Sequence, residues 1–196
     1  MISCIFLSAG LSSRFGSPKA LAPFQQETVI EYLMGLLLKT NLDEIIVVLG
    51  SHAEEIKPFI LKHNNVKVVY NKDYNFGQTS SFKVGLKNIS SDASGLLLLP
   101  IDYPFVRMET INYLIEQFYK KSAPILIPTY GGRRGHPPLF EAELKNEFLA
   151  LDHSFGVNSI IHQHEKDVAL VEVDDPGVIK SFNTKDEFER IKRELL

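Results

Sequence analysis

A glycine- and serine-rich stretch with two cations, LSAGLSSRFGSPKAL, runs from Leu7 to Leu21 directly after an apolar segment. It is not a P-loop, because five residues separate Gly10 from Gly16 and the second glycine is followed by Ser-Pro-Lys. It also lacks the three closely spaced glycines of the dinucleotide-binding fingerprint. The residue types nevertheless suit an anion, so we predict a phosphate-binding loop of another kind.

Five residues of this loop are those that we expect to hold a polyphosphate. Ala9, Gly10 and Leu11 follow the apolar segment, where small residues let backbone N–H groups approach an anion closely. Arg14 offers a fork of donors and Lys19 a point charge, so the pair could neutralise phosphates from either side. The alternative is a solvated loop with two ordinary surface cations. The length of the loop and its place after a strand favour function.

A single carboxylate stands at the end of the apolar run in LLLLPIDYPFV. Packing explains Asp102 poorly at that place. A hard divalent ion such as Mg²⁺, in contrast, takes one or two carboxylates and completes its shell with water and phosphate oxygens. An Asx-turn or a helix cap is the alternative, because Asp-x-Pro is also good turn chemistry. Metal binding by Asp102 is the interpretation that we favour.

Two further segments carry polar groups near predicted strand or helix ends. In NFGQTSSFKVGL, Gln78 precedes a helix and Ser81 lies in its first turn, where free N–H groups could contact a base or a sugar. Local evidence there favours the alternative, a plain N-cap serine cluster. In PTYGGRRGHPPLF, three glycines accompany Arg133, Arg134 and His136. This basic loop could hold a second, anionic substrate, and an exposed basic turn is the alternative.

The elements that must position these residues alternate between strands and helices. The pattern predicts strands over Ile2–Ser8, Glu44–Gly50, Val66–Asn71, Ser94–Pro100, Ala123–Thr129 and Val168–Val173, and a short edge strand over Pro137–Phe140. It predicts helices over Thr28–Lys39, Ala53–His63 (bent or split at Pro58), Thr79–Ile89 and Met108–Lys121, and a last helix with Thr184 as N-cap and Glu187 at capping-box spacing. Apolar strands alternating with helices indicate an α/β fold with a mostly parallel sheet and helices on both faces.

Ligands of such a sheet bind outside the carboxyl ends of its strands. This rule selects the loops 9–19, 71–81, 101–106 and 130–138, each of which follows a predicted strand. The candidate residues named above all lie in these four loops, which are rich in small, polar or charged residues.

Composition limits the function further. The chain has 196 residues, 44% hydrophobic and 23% charged, which predicts one domain over residues 1–196. A net charge of −3 gives no sign of a nucleic-acid partner, and no apolar stretch approaches the roughly 20 residues of a membrane span. The lone Cys4 excludes a disulfide framework and a cysteine-rich zinc site. No signal peptide is seen, so we expect a cytoplasmic protein.

The motifs together resemble a known family. LSAGLSSRFGSPKAL is similar to the N-terminal signature of the MobA-like nucleotidyltransferases, roughly L-A-A-G-x-S-x-R-M-G-x-x-K. GQTSSFKVGL, PIDYPFV and RRGHPPLF look most like the molybdenum cofactor cytidylyltransferase branch, in the family's order. The resemblance covers nearly the whole chain and implies a three-layer, Rossmann-like nucleotidyltransferase fold.

The resemblance also implies an activity. Family members move a nucleoside monophosphate from an NTP to a phosphate acceptor and release pyrophosphate. The branch implies CMP from CTP as the group transferred, and the phosphate of molybdopterin cofactor or a similar small molecule as the acceptor. Mg²⁺ is the implied cofactor, and a client molybdoenzyme is an implied partner. Guanylyl transfer, sugar-phosphate nucleotidyl transfer and a non-catalytic nucleotide-binding accessory protein of cofactor maturation are the alternatives.

Carried over by matching position, the resemblance implies roles for three groups of residues. The nucleotide-binding group is Ala9, Gly10, Leu11, Arg14, Lys19, Gln78 and Ser81. The catalytic residues are Lys19, Arg14 and Asp102, and the metal ligands are Asp102 and Asn183. The acceptor-binding group is Arg134, Gly135 and His136.

Two segments depart from the family pattern. The family often ends with D-x-D-T-P-E-D, where this chain has SFNTKDEF, so Ser181 and Asn183 stand at the aspartate positions. Asn183 can still offer Mg²⁺ an amide oxygen, with less charge. The family segment G-D-x-G-A-R corresponds to LDHSFGVN, which keeps Asp152 and Gly156 but lacks the arginine. A cofactor other than molybdopterin, or a phosphosugar, is therefore compatible with the sequence as acceptor.

Overall fold

The computed structural model describes residues 1–120, 123–152 and 154–196. Its strands are β1 (Ile2–Ser8), β2 (Pro23–Phe24), β3 (Glu27–Thr28), β4 (Glu44–Leu49), β5 (Val66–Tyr70), β6 (Gly95–Pro100), β7 (Ile125–Tyr130), β8 (Arg133–Arg134), β9 (Leu139–Glu141) and β10 (Val168–Glu172). Its helices are α1 (Val29–Leu37), α2 (Ala53–Ile56), α3 (Gln78–Leu86), α4 (Met108–Lys120), α5 (Lys145–Ala150), α6 (Asn158–Gln163) and α7 (Lys185–Leu195). Lys121, which ends the predicted helix Met108–Lys121, lies outside the described residues, as does His153 of LDHSFGVN.

One mixed sheet has the strand order β10-β7-β9-β6-β1-β4-β5, with β8 paired to β7. Strand β1 pairs in parallel with β4 and β6, and the pairs β4–β5 and β7–β10 are also parallel. The carboxyl ends of β1, β4, β5 and β6 therefore lie at one edge of the sheet. The mostly parallel α/β sheet that the sequence predicts is confirmed.

Helices cover both faces of this sheet. In β1, Cys4 and Phe6 belong to one hydrophobic cluster, while Ile5 and Leu7 belong to the other. Helices α1, α4 and α7 contribute to the first cluster, and α3, α5 and α6 to the second. The three-layer arrangement is therefore confirmed, and Cys4 is a buried core residue. None of the helices in the described ranges is long and apolar enough to cross a membrane.

The prediction that Pro137–Phe140 forms a strand at the edge of the sheet is wrong. Strand β9 lies inside the sheet, antiparallel to β6 on one side and β7 on the other. Leu139 and Phe140 are fully buried, and both prolines precede the strand, so neither removes a ladder hydrogen bond. The neighbouring prolines are typical of an edge strand, which is why the sequence predicts one. The observed position of β9 inside the sheet depends instead on its pairing with the distant strands β6 and β7.

The predicted helix Ala53–His63 is wrong in its length. Helix α2 has only four residues, a 3₁₀ turn follows over Lys57–Phe59, and Ile60 leaves it with extended backbone. Pro58 has no N–H with which to extend the helical ladder. The first turn is therefore split off at Pro58, as one of the two sequence alternatives predicts.

The last helix begins where the sequence predicts. The Thr184 Oγ1 accepts a hydrogen bond from the Glu187 N–H at 3.2 Å, and the Glu187 carboxylate accepts one from the Thr184 N–H at 3.2 Å. Phe188 and Ile191 of α7 are buried in the first cluster. This capping box fixes the chain just before α7, where the segment SFN reaches the site.

Candidate functional site

The loop after β1 is held in shape by its own hydrogen bonds. The Ser12 carbonyl oxygen accepts from the N–H groups of Phe15 and Gly16 at 2.9 and 3.1 Å, and Ser12 Oγ accepts from the Lys19 N–H at 3.2 Å. Ser12 has a φ of 53°, in the left-handed region that residues other than glycine rarely adopt. Phe15 is buried and packs edge-on against Phe182, with ring centroids 5.4 Å apart. These contacts fix the backbone between the two cations of the loop.

The two cations of the loop meet at one oxygen atom. The Asn183 Oδ1 accepts hydrogen bonds from Lys19 Nζ and from Arg14 Nη2, each at 3.0 Å. Lys19 Nζ also lies 3.6 Å from Asp102 Oδ2 and 5.2 Å from the centroid of the Phe182 ring. Burial lowers the pKa of Lys19, and the Asp102 carboxylate opposes that shift. The site therefore centres on two cations, one carboxylate and one neutral amide.

Backbone contacts bring Asn183 to this point. The Phe182 N–H donates to the Asp102 carbonyl oxygen at 3.2 Å, and the Asn183 N–H donates to Glu187 Oε2 at 2.7 Å. The hydrogen bonds from the backbone of Asn183 and Thr184 hold the pKa of Glu187 below its ordinary value. The capping box of α7 thus positions Asn183 beside the end of β6.

The beginning of α3 forms another wall of the site. Gly77 is the N-cap residue, with a φ of 85°. Asn71 Nδ2 donates to Ser80 Oγ and Ser81 Oγ at 2.8 and 3.0 Å, and the Ser80 hydroxyl donates to the Gly77 carbonyl oxygen at 2.8 Å. The prediction of a plain N-cap serine cluster is therefore wrong. Gly77 is the N-cap residue, and the Ser80 and Ser81 hydroxyls accept hydrogen bonds from Asn71.

A cavity of about 450 Å³ lies between these elements at the carboxyl edge of the sheet. It is lined by all the residues expected to bind the nucleotide or the metal: Ala9, Gly10, Leu11, Arg14, Lys19, Gln78, Ser81, Asp102 and Asn183. Its volume falls within the range of small-molecule sites, about 300–1,000 Å³. The structure thus brings together residues that the sequence places in four separate segments.

Sequence reasoning missed two residues that shape this cavity. A Cβ atom at Gly50 would stand 2.7 Å from the Ala9 carbonyl oxygen and 2.8 Å from Tyr74 Cβ, so the end of β4 packs directly on the loop after β1. The Ser51 N–H donates to the same Ala9 oxygen at 3.1 Å. The glycine that ends a predicted strand is the signal that could have revealed this contact. Tyr74, which also lines the cavity, lies in the selected loop 71–81, but its residue type gave no reason to single it out.

A second cavity, of about 330 Å³, adjoins the first, and Gln78 lines both. The expected acceptor residues Arg134, Gly135 and His136 lie in its wall. A Cβ atom at Gly135 would stand only 2.4 Å from the Val178 carbonyl oxygen, so this strand end is packed against the chain before α7. The structure therefore separates the nucleotide group from the acceptor group into two neighbouring spaces.

Arg134 and His136 meet different partners in the second cavity. Arg134 forms a two-point ion pair with Glu165, with Nη1 3.0 Å from Oε2. The His136 ring lies 4.3 Å from the Tyr103 ring, centroid to centroid, and removal from water lowers the pKa of His136. Its Nδ1 is a buried atom that finds no hydrogen-bond partner within the described part of the chain. The neutral imidazole and the paired guanidinium are the chemical features of this cavity.

The residues at the two family aspartate positions also have identifiable contacts. Burial raises the pKa of the Tyr103 phenol, and the interaction of the phenol with the Ser181 side chain opposes part of that shift. The Asn183 amide oxygen binds the two cations of the first loop. Both positions therefore support neighbouring side chains of the site.

The oxygen donors of the first cavity bear on whether a metal ion fits. Mg²⁺ prefers hard oxygen ligands and usually takes one or two from protein, with phosphate and water completing its shell. The Asp102 carboxylate is one quarter exposed (25%) and faces the cavity. No group of three or more His, Cys, Asp or Glu side chains is arranged to hold a metal in residues 1–120, 123–152 and 154–196. The site therefore fits an ion held by one carboxylate and by the phosphates of a substrate.

Comparisons with known proteins agree with this arrangement. The model of the MobA-like NTP transferase domain matches residues 4–168. The molybdenum cofactor cytidylyltransferase of Escherichia coli (strain K12) is 24% identical over 187 residues, which cover 95% of this chain and 93% of the relative. A probable molybdenum cofactor guanylyltransferase of Bacillus anthracis (strain CDC 684 / NRRL 3495) is 30% identical over 200 residues, which cover 97% and 96%.

A solved structure is similar along nearly its whole length. The complex of Rv0371C with manganese from Mycobacterium tuberculosis H37Rv matches with a TM-score of 0.80 and 25% identity, over 98% of this chain and 98% of that one. The family model covers most of the present chain, and the relatives agree with it. The protein therefore belongs to the MobA-like NTP transferase family and is a nucleotidyltransferase.

Proposed function

We propose that the protein transfers CMP from CTP to the phosphate of molybdopterin cofactor, or of a similar phosphorylated small molecule, and releases pyrophosphate. The observation that carries this proposal is the pair of adjoining cavities, with Lys19 and Asp102 in the first and Arg134 and His136 in the second. Gln78 lines both, so two substrates bound in them would meet at the beginning of α3. The name of the Escherichia coli relative supports CMP as the group transferred.

The first cavity suits a nucleoside triphosphate. Arg14 and Lys19 offer two positive charges on one side, and the loop after β1 carries backbone N–H groups beside them. Gln78 and Ser81, at the beginning of α3, are the groups that would approach the base or the ribose. Asp102 is the residue that would hold Mg²⁺, and the complex of the similar mycobacterial Rv0371C with manganese supports a divalent ion for this chain as well.

The chemical step needs no protein base. An oxygen of the acceptor phosphate attacks the α-phosphorus of CTP, a P–O bond forms, and the bond from that phosphorus to the bridging oxygen breaks. Pyrophosphate leaves with the electron pair of the broken bond. A phosphate monoester has its second pKa near 6 and is already ionised at neutral pH. No residue therefore has to remove a proton from the attacking oxygen.

The chain then contributes positioning and charge neutralisation. Lys19 and Arg14 offset the charge that develops on the transferred phosphate and on the leaving pyrophosphate. Mg²⁺, when held by Asp102, supplies further neutralisation of phosphate oxygens. At the second cavity, Arg134 would bind the anionic part of the acceptor once Glu165 is displaced, and neutral His136 would lie beside it.

Guanylyl transfer is the second candidate function, because the Bacillus anthracis relative with 30% identity carries the guanylyltransferase name. A thermal-shift comparison of CTP, GTP, ATP and UTP, each with Mg²⁺, separates the two. We expect CTP to stabilise the protein most, and a clear preference for GTP would assign it to guanylyl transfer. Pyrophosphate release with molybdopterin and other phosphorylated acceptors then tests catalysis. Nucleotide binding without release for any acceptor would favour an accessory protein.

A further inference from the structure

The position of Asn183 leads to an inference that rests on the proposed function and refines it. We propose that Asn183 is a positioning residue that aligns Lys19 and Arg14 for the triphosphate, and that it is not a metal ligand. The protein then offers the metal one side-chain ligand, Asp102. The oxygen of a neutral amide performs this alignment without cancelling the charge of either cation.

The hydrogen bonds of Asn183 oppose a role for its amide oxygen as a metal ligand. An amide oxygen has two lone pairs, and both are used here, by Lys19 Nζ and Arg14 Nη2 at 3.0 Å each. A magnesium ion bound to the same oxygen would lie about 2.0–2.1 Å from it. At that distance the ion would displace and repel both cationic N–H groups. The alignment of the cations and the ligation of a metal are therefore mutually exclusive roles for this atom.

The charges around the cavity favour a neutral side chain at position 183. Asp102 is the sole carboxylate among the described residues that line it, and its Oδ2 lies 3.6 Å from Lys19 Nζ, beyond an ordinary hydrogen bond. A carboxylate at position 183 would form charge-assisted hydrogen bonds to both cations and would compete with a phosphate for them. The neutral amide keeps both cations in place and leaves their charge for the substrate.

Backbone hydrogen bonds fix the position of Asn183. Its N–H donates to Glu187 Oε2 at 2.7 Å, and the preceding Phe182 N–H donates to the Asp102 carbonyl oxygen at 3.2 Å. Neither bond depends on a ligand. The two cations are thus held together before the nucleotide arrives, which reduces the ordering that binding requires.

The test measures CTP affinity by calorimetry on the full chain, at Mg²⁺ concentrations from none to saturating. Asn183→Asp and Asn183→Ala are compared with wild type and with Arg190→Gln. The control lowers the net charge by one, as Asn183→Asp does, at an exposed position of α7. At every Mg²⁺ concentration at which wild type binds CTP, we expect both Asn183 variants to bind it about tenfold more weakly. A tenfold loss of affinity corresponds to the loss of one charge-assisted hydrogen bond. The Mg²⁺ concentration for half-maximal binding should not change, and Arg190→Gln should match wild type.

Two results would overturn the positioning role. One is that Asn183→Asp lowers the Mg²⁺ concentration for half-maximal binding, and the other is that the defect of Asn183→Ala disappears at high Mg²⁺; either identifies a metal ligand. Wild type that binds no nucleotide at any Mg²⁺ concentration would instead contradict the proposed function. Glu187→Ala is the second variant if an Asn183 variant fails to fold, because it removes the acceptor of the Asn183 N–H. We expect it to weaken CTP binding with the same unchanged Mg²⁺ dependence, and unaltered CTP binding would contradict the positioning role.

Discussion

Lys19 Nζ and Asp102 Oδ2 lie 3.6 Å apart, between the loops that follow β1 and β6. These strands are neighbours in the sheet, paired in parallel from Ile2 with Gly95 to Leu7 with Pro100. The pairing delivers a cation and a carboxylate to the same edge, although they are far apart in the chain. The side chain of Lys19 is 12% exposed and that of Asp102 is 25% exposed, so both can meet a ligand in the cavity.

The pH dependence of nucleotide binding should follow the charge of Lys19. Burial lowers the pKa of Lys19, so the ammonium loses its proton at a lower pH than an ordinary lysine does. The charged form neutralises phosphate, and CTP affinity should therefore be full below this pKa and decline as the pH rises through it. Lys19→Arg keeps its charge at higher pH, so its decline should move upward. Calorimetry from neutral to strongly alkaline pH checks this, and an identical decline in both proteins would assign the titration to another group.

Removal of the Asp102 carboxylate should abolish turnover and spare the fold. We expect Asp102→Ala to lower the rate of pyrophosphate release by about 100-fold or more, the usual effect of losing one electrostatic group at a reacting centre. Its melting temperature should stay within about 3 °C of wild type, because the side chain is partly exposed. Asp174→Ala, at an exposed position, is the control and should keep normal turnover. Near-normal turnover of Asp102→Ala would contradict its role.

A methyl group at Gly50 should disturb the first cavity. The added Cβ would lie 2.7 Å from the Ala9 carbonyl oxygen, so the loop after β1 must shift. We expect Gly50→Ala to lower the free energy of unfolding by about 1–3 kcal/mol and to raise the KM for CTP. Gly35→Ala in α1 meets no atom within 4 Å and should be neutral or stabilising by up to about 1 kcal/mol. The free energy of unfolding in urea and the KM for CTP are measured for both variants. Equal values for the two would contradict the close packing of Gly50 on the loop after β1.

The ion pair of Arg134 with Glu165 should compete with the acceptor. Arg134 holds the pKa of Glu165 below its ordinary value, so this carboxylate is ionised at neutral pH and occupies the guanidinium. We expect Glu165→Gln to lower the KM for the acceptor by about threefold, the scale of an exposed ion pair, and Arg134→Gln to raise it. Neither change should alter the KM for CTP, because both residues lie outside the first cavity. Steady-state kinetics with each substrate varied in turn checks this, and a change confined to the KM for CTP would refute it.

Much of the fold could be predicted from local sequence. The apolar runs of β1, β4 and β6 each span only a few consecutive residues, and so does the capping box of Thr184 with Glu187. Patterns this short can be recognised in the sequence alone. The inner place of β9 could not be read in this way, because it depends on which distant strands accept its hydrogen bonds. The shortness of α2 depends on how strongly Pro58 interrupts a helix, for which the sequence leaves two outcomes.

The sequence predicts which loops form the candidate site, but it does not predict which side chains contact each other within it. Ligands of a parallel sheet bind outside the carboxyl ends of its strands, and this rule predicts that Lys19 and Asp102 lie at the same edge of the sheet. The hydrogen bonds of Asn183 join segments more than 160 residues apart, and no local pattern specifies them. The same is true of the pairing of Arg134 with Glu165, which occupies a cation that the sequence presents as free for a substrate.

The measurement that tests the proposed activity most directly follows the α-phosphorus itself. CTP labelled at that atom is incubated with the protein, Mg²⁺ and molybdopterin, or with other phosphorylated acceptors in turn, and labelled product and pyrophosphate are quantified together. Transfer of CMP predicts that one acceptor gains the label in the same molar amount as the pyrophosphate released, and that Asp102→Ala lowers the rate of both by about 100-fold or more. Label that stays in CTP with every acceptor, although CTP binds, would contradict the proposed transfer.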